Sequence, residues 1–199
     1  DPDGSIILYQ LDFGDGTSSP FAMPSHTFNN FSSAPIIYDV VLVGTSSFGC
    51  VDTASTQLTV FPNTIAQFIG SANAGCSPLQ VDFTNLTINA DTYDWNYGDG
   101  DVSQESASLH SHTFTNNGTT PLVRTIALST QNSYGCMSSF TSNLEIYPQI
   151  EVSFVQPDDV CAPATVAFGN TSINISSYVW NFGNGVQSVA QNPTSVFQN

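Results

Sequence analysis

The chain has 199 residues, 40% of them hydrophobic and 12% aromatic, and its sixteen acidic side chains face a single cation, Arg124, for a net charge of −15. So much apolar and aromatic content excludes disorder, and a chain with no lysine and one arginine lacks the groups that displace counterions from nucleic acid or from phosphate-rich surfaces. The acidity suits a long exposed molecule kept soluble by self-repulsion, and it leaves one trypsin-type cleavage site.

Taken in chain order, the octapeptide Tyr9 to Gly16 (YQLDFGDG) comes first. Leu79, Val81 and Phe83 then alternate with polar residues, as do Tyr93, Trp95 and Tyr97, then Ile126 and Leu128, then Leu144 and Ile146. Each run is bounded by Gly, Asn, Asp, Ser or Pro, and a further strand is expected from Val152 to Phe154. Period-2 alternation in short runs predicts strands with one face in a core and the other in water. No segment of eight or more residues carries helical periodicity, so the predicted class is all-β, with immunoglobulin-like sandwiches of about seven strands.

The octapeptide recurs as Tyr93 to Gly100 (YDWNYGDG) and Tyr178 to Gly185 (YVWNFGNG), starting 84 and then 85 residues further on. Ser47 to Cys50 (SFGC) returns as Ser133 to Cys136 (SYGC), and Cys76 returns as Cys161. Pro24 to Phe28 (PSHTF) returns as His110 to Phe114 (HSHTF) and, without its histidine, as Pro193 to Phe197 (PTSVF). Val60-Phe61-Pro62 is matched by Ile146-Tyr147-Pro148. A period near 85 is that of whole sandwich domains in tandem. The expected units are 1–62, 63–148 and 149–199, the first incomplete at its start and the third at its end, as in a window on a longer polypeptide. Short, proline-bearing connections between them imply restricted bending.

Tyr-x-Trp-(Asp/Asn)-(Phe/Tyr)-Gly-(Asp/Asn)-Gly, followed by His-Thr-Phe and an Asn/Ser-rich turn, resembles the PKD (polycystic kidney disease) domain. Leu11 replaces the tryptophan in the first copy and Asn184 the second aspartate in the third, as in a motif that serves folding. Its structural residues are Asp15, Trp95, Gly98, Asp99, Gly100, Trp180, Gly183 and Gly185. With the cysteine pair added, the pattern is similar to arrays in very large surface proteins of Bacteroidota, including gliding-motility adhesins. That resemblance implies a secreted, cell-surface location and export by a type IX pathway.

Four cysteines occupy two equivalent positions, and only residues 63–148 contain both, so the expected disulfide is Cys76–Cys136. Cys50 and Cys161 would pair with cysteines before Asp1 and after Asn199. Such bonds belong to an oxidising compartment. A zinc site is the competing reading, and no CxxC spacing supports it.

Asp94 to Glu105 has the length of an EF-hand loop, but its glycine is misplaced and Trp95 and Tyr97 are needed as strand residues. A looser calcium site remains a candidate at Asp99, Asp101 or the Asp158-Asp159 pair; no other cofactor is expected. His110 and His112 share a strand face with metal-like spacing, yet His110 is Pro24 in the first copy and His112 is Ser195 in the third, which favours packing or capping roles. The Gly-Asp-Gly turn is read as structural, glycine supplying positive φ and aspartate accepting amide hydrogens. Asn30, Asn85, Asn117, Asn170 and Asn174 begin formal sequons, Asp52-Thr53-Ala54 resembles a Bacteroidota O-glycosylation site at Thr53, and Phe21 and Phe31 are candidate sugar-binding aromatics.

No catalytic constellation recurs in all three copies. The sequence therefore reads as a non-catalytic segment of a large surface adhesin or stalk, a semi-rigid spacer with many weak attachment points. Its expected partners are neighbouring repeats, surface glycans, other cell-surface proteins or further copies in a filament; nucleic acid and membrane insertion of this segment are not expected. The rival readings are spacer or polymer-binding modules of a secreted hydrolase, and a self-assembling fibre.

Overall fold

The computed structural model describes residues 6–198; residues 1–5 and 199, parts of the expected first and third units, lie outside the described residues. All regular structure among the described residues is β, and no helix there is long and apolar enough to cross a membrane.

Four strands come first: β1 (Ile6–Asp12), β2 (Ser18–Ser19), β3 (Ile36–Ser46) and β4 (Val51–Val60). They form one antiparallel sheet in the order β2-β1-β3-β4. Its long hairpin pairs Ile36 with Val60 and Thr45 with Val51, and turns through Ser46 to Cys50, where Gly49 takes φ +82°.

Eight strands follow: β5 (Phe68–Gly70), β6 (Ala74–Cys76), β7 (Leu79–Asn85), β8 (Thr92–Asn96), β9 (Val102–Ser103), β10 (Leu109–Phe114), β11 (Leu122–Gln131) and β12 (Met137–Tyr147). They make two sheets, β10-β7-β5 and β6-β12-β11-β8-β9. The second repeats, strand for strand, the order of the first sheet: β9-β8-β11-β12 stands where β2-β1-β3-β4 stood.

The two sheets enclose one core, and the alternation read from the sequence fills it. Phe68, Val81, Phe83 and Phe114 face Trp95, Tyr97, Ile126, Leu128, Leu144 and Ile146, all buried, with Leu79 and Tyr93 packed at the margin. Trp95 is 1% exposed; it touches Phe68 and Phe83 at ring-centroid distances of 5.0 and 5.8 Å, and its indole N–H donates to the Glu105 carbonyl at 3.0 Å. Each such side chain contributes about 1.5–3 kcal/mol on burial.

The third stretch holds β13 (Phe154–Val155), β14 (Ala164–Ala167), β15 (Gly169–Asn170), β16 (Trp180–Asn181), β17 (Gln187–Ser188) and β18 (Thr194–Phe197), paired as β13-β15, β14-β18 and β16-β17. Trp180 repeats the Trp95 arrangement, its indole donating to the Ala190 carbonyl at 3.0 Å and its ring lying 5.4 Å from Phe154 and 5.8 Å from Phe168. It is only half-buried, and a cleft lined by Phe154, Phe168, Trp180 and Phe182 opens beside it. Strands corresponding to β11 and β12, which cover Trp95, have no counterpart among the described residues of this stretch.

One expectation is corrected by strand register. β6 pairs in parallel with the end of β12, Cys76 opposite Tyr147, whereas Cys136 immediately precedes the start of β12. Eleven residues of extended chain span about 35 Å, and a disulfide needs Cα atoms within about 7 Å. Cys76 and Cys136 therefore lie at opposite ends of one sandwich and cannot bond to each other; all four cysteines are free thiols.

Arg124 lies within β11, paired with Leu144 of β12, and its guanidinium donates to the Gly98 carbonyl at 2.9 Å. A protease must strip a segment from its neighbours to bind it, so cleavage requires unfolding here. Trypsin is expected to leave the native chain intact and to cut the urea-unfolded chain once, after Arg124, as read by gel and mass.

Candidate functional site

Two features recur and could carry function: the polar turn that follows each aromatic motif strand, and the connections between successive copies of the repeat.

In the turn, Gly98 takes φ +76°, and a Cβ there would stand 2.6 Å from the Thr125 carbonyl oxygen. Gly14 is held alike, at φ +77° and 2.6 Å from the Asp39 oxygen. Gly183 shares the torsion, φ +78°, but nothing lies within 4 Å of its would-be Cβ. The side chain two residues earlier caps each turn: Asp12 Oδ1 accepts from the Gly14 N–H at 2.8 Å, Asn96 Oδ1 from Gly98 at 2.8 Å and Asn181 Oδ1 from Gly183 at 3.1 Å. The next polar residue caps the following bend, with Asp15 accepting from Thr17, Asp99 from Asp101 and Asn184 from Val186.

The other oxygen of Asp15 and Asp99 meets a histidine that the sequence separates by eleven and thirteen positions. His26 Nε2 lies 2.6 Å from Asp15 Oδ2, and His112 Nε2 lies 2.7 Å from Asp99 Oδ2. Each imidazole also stacks on the motif aromatic at a 4.0 Å centroid distance, His26 on Phe13 and His112 on Tyr97. In the third copy both members change together: Asn184 Nδ2 donates to the Ser195 hydroxyl at 3.4 Å and to the Val196 carbonyl at 3.1 Å. The contact outlives the loss of both ionisable groups, which marks it as a clamp tying the turn to the segment that carries His26, His112 or Ser195.

Electrostatics follow from these partners. Hydrogen bonds from the Thr17 hydroxyl and from His26 hold the Asp15 carboxyl at about 2. For Asp99, burial alone would raise the carboxyl, but hydrogen bonds from His112 and from the Asp101 backbone outweigh it, and the group sits below the usual carboxylate range. His110 points into the core, edge-on to Trp95 at 4.5 Å, with no hydrogen-bond partner for either ring nitrogen. Burial lowers its pKa, so it is carried as the neutral ring.

Of the calcium candidates, Asp99 and Asp101 converge, and His112 joins them, one ligand atom of each lying within 4.8 Å of the others. An imidazole suits zinc-like ions better than calcium, which takes oxygen ligands. Thr17 and Val186 replace Asp101 in the sister copies, so the three-donor group is particular to the middle one. Asp158 and Asp159 are exposed in the segment between β13 and β14 and belong to no such group. The acidic ends of the EF-hand-length loop turn elsewhere: Asp94 Oδ1 accepts from Gln104 and Glu105 Oε1 from the Ala107 amide. Thr53 is exposed on β4, and Phe21 and Phe31 are 70% and 66% exposed.

The connections hold residues that the sequence reading missed. Asn30, 2% exposed, donates to the Val60 and Ala34 carbonyls and accepts through its own carbonyl from the Asn63 amide at 2.8 Å. Asn89, at φ +56°, donates to Asn63 and Ser32 carbonyls at 3.0 and 2.9 Å. At the next connection Asn116 donates to the Ile146 carbonyl and accepts from the Gln149 amide, while Asn174, at φ +57°, donates to Gln149 and Gly118 carbonyls at 2.7 and 3.1 Å. Each of these partners is offset by 85 or 86 positions from its equivalent. The first connection adds a stack of Phe61 on Tyr134 at 4.7 Å and a bond from Asn132 Nδ2 to the Pro62 carbonyl at 2.9 Å. Asn30 and Asn174 head formal sequons, but their side-chain amides are engaged in these contacts; the recurrence of asparagine outside the motif was the signal that could have revealed them.

No family model matches the chain. Among solved structures, the PKD1 domain of the Vibrio cholerae metalloprotease PrtV aligns at 16% identity over 43% of this chain and 98% of its own, with a TM-score of 0.34. A carbohydrate-binding module structure of the β-sandwich superfamily aligns at 18% identity and a TM-score of 0.40, over 66% of this chain, which spans about half, 52%, of that structure. A structure of a 1.5-MDa bacterial ice-binding adhesin aligns at 13% identity over 88% of this chain and 68% of its own, with a TM-score of 0.30.

Two measurements check the turn and its charges. Gly98→Ala is expected to destabilise by about 2 kcal/mol or more and Gly183→Ala by about 1 kcal/mol, since only the first adds a backbone clash to the torsional strain; urea unfolding followed at Trp95 and Trp180 reads both. His110 has a lowered folded pKa, so the folded state binds fewer protons and stability falls as pH drops below its ordinary value of 6.5. Asp15 and Asp99 are also lowered; their contribution is full above the ordinary carboxylate value of 3.8 and is lost as pH falls further, for Asp15 through about 2. Melting temperatures are therefore expected to fall in two steps on acidification, and His110→Phe to remove the upper one.

Proposed function

We propose that the chain is a non-catalytic segment of a large secreted cell-surface adhesin or stalk, in which consecutive sandwiches, 1–62, 63–148 and 149–199, act as a semi-rigid spacer. One observation carries this reading: the same asparagine clamp closes both connections. Asn30 with Asn89 and Asn116 with Asn174 bind the backbone on each side of Asn63 and of Gln149, the equivalent residue one period on. A connection whose amides and carbonyls are engaged on both sides has lost the freedom that a flexible linker keeps.

The surface suits the same role. Charge of −15 with a single cation opposes collapse of a chain of domains on itself and opposes close approach of neighbouring molecules. Attachment would come from many weak contacts along the rod, where linkage converts modest affinities into firm adhesion. Surface glycans or cell-surface proteins are the proposed partners, with exposed Phe21 and Phe31 as contact points. Calcium at Asp99 and Asp101 and glycosylation at Thr53 belong to this proposal as accessory features.

Small-angle scattering tests it. The native chain is expected to give the long, narrow distance distribution of a rod, little changed by salt. Asn89→Gly with Asn174→Gly keeps the positive φ and removes the clamps, and is expected to shorten and broaden that distribution. A native chain already as broad as the double variant would rule out the spacer reading.

A further inference from the structure

Register places the two kinds of cysteine at opposite ends of one sandwich, and the connection between copies brings those ends together. Cys76 pairs across the strands with Tyr147, and the Ser77 N–H donates to the Tyr147 carbonyl at 3.1 Å, so Cys76 belongs to the end where the chain leaves through Pro148. One period earlier, Phe61 and Pro62 occupy the places of Tyr147 and Pro148. There the structure displays what faces such a position from the following copy. The Phe61 ring stacks on Tyr134 at 4.7 Å and 14°, two residues before Cys136. The Pro62 carbonyl accepts from Asn132 Nδ2 at 2.9 Å, while Asn132 Oδ1 accepts from the Cys136 amide at 3.0 Å. Two independent contacts therefore set Cys136 beside the Phe61-Pro62 corner, and strand pairing sets a Cys76-type residue beside the same corner in its own copy.

We infer that each connection in a run of these repeats is closed by a disulfide between the Cys76-type residue of one copy and the Cys136-type residue of the next, so that the bonds staple neighbours together. The inference rests on reading the copies as consecutive repeats. It accounts for Cys76 and Cys136 being unbonded here: the partner position of Cys136 falls in the part of the first copy equivalent to residues 63–84, and that of Cys76 in the part of the third copy equivalent to the β11–β12 hairpin, neither of which has a counterpart among the described residues. Bond formation removes two protons and two electrons from the thiol pair. An oxidised disulfide, small-molecule or carried by a thiol oxidoreductase, takes them up and leaves as two thiols. A covalent link beside the asparagine clamp would fix the angle between sandwiches as well as their separation.

The test lengthens the full chain with a copy of its own residues 63–84 placed before Asp1, which keeps the repeat register and supplies a third Cys76-type thiol. After exposure to oxidised glutathione, peptide mapping without reductant is expected to find the added cysteine joined to Cys136, with Cys50, the original Cys76 and Cys161 still titrating as thiols. A bond from the added cysteine to Cys50, or five free thiols, overturns the inference. Should the lengthened chain not fold, the original chain decides. With Cys50→Ser and Cys161→Ser, nitroxides on Cys76 and Cys136 are expected about 35 Å apart, and a main distance under half that value overturns it. Failure of the cross-link alongside rod-like scattering would remove the staple and leave the spacer reading standing.

Discussion

The chain's whole organisation hangs on how tightly the motif strand must turn. Trp95 and Tyr97 point into the core from a strand that ends against Thr125 so closely that a Cβ at Gly98 would collide with backbone. Only glycine permits both the torsion and the approach. Once that turn is fixed, the indole reaches the Glu105 carbonyl and His112 of β10 meets the Asp99 carboxylate. The polar clamp and the apolar core are thus two faces of one turn. Asp15 with His26 closes the turn of the first copy by the same pairing, and Asn184 with Ser195 closes that of the third with different chemistry.

Much of this was legible in the sequence because it follows from period and packing. Val81, Phe83, Trp95, Tyr97, Ile126, Leu128, Leu144 and Ile146 alternate in the sequence and are all buried. The site was harder to read. Asp99, Asp101 and His112 come together only because β10 lies across the turn from β8, a juxtaposition that spacing along the chain does not encode. The cysteines illustrate the limit more sharply. Repeat equivalence identified two positions per copy, but equivalence is blind to which end of a sheet each one occupies. The parallel pairing of β6 with the far end of β12 decides which end each occupies. The clamp asparagines stayed hidden for a related reason: an asparagine at a connection looks like any loop residue until its amide is seen bridging two carbonyls.

Charge and hydrogen bonding act on the chain over different ranges. Repulsion among sixteen acidic groups is felt across a distance of about 8 Å at physiological salt and weakens as salt rises. The clamps act within hydrogen-bonding distance, on backbone groups, and Pro62 beneath the first of them is buried. Contacts of that kind are largely indifferent to ionic strength, whereas repulsion between neighbouring molecules is not.

The clamps also explain why asparagine holds positions that look costly. Asn89 and Asn174 sit at φ near +57°, a region few side chains other than asparagine and aspartate enter readily. Glycine would meet the torsion without strain but could donate nothing to Asn63 or Gln149. Aspartate would tolerate the torsion, yet its carboxylate would face two carbonyl oxygens and repel both. Asparagine alone combines tolerance of the torsion with an amide that donates twice, once to the connecting segment and once to a loop of the preceding copy. Both clamps therefore rest on a residue chosen for its donor hydrogens.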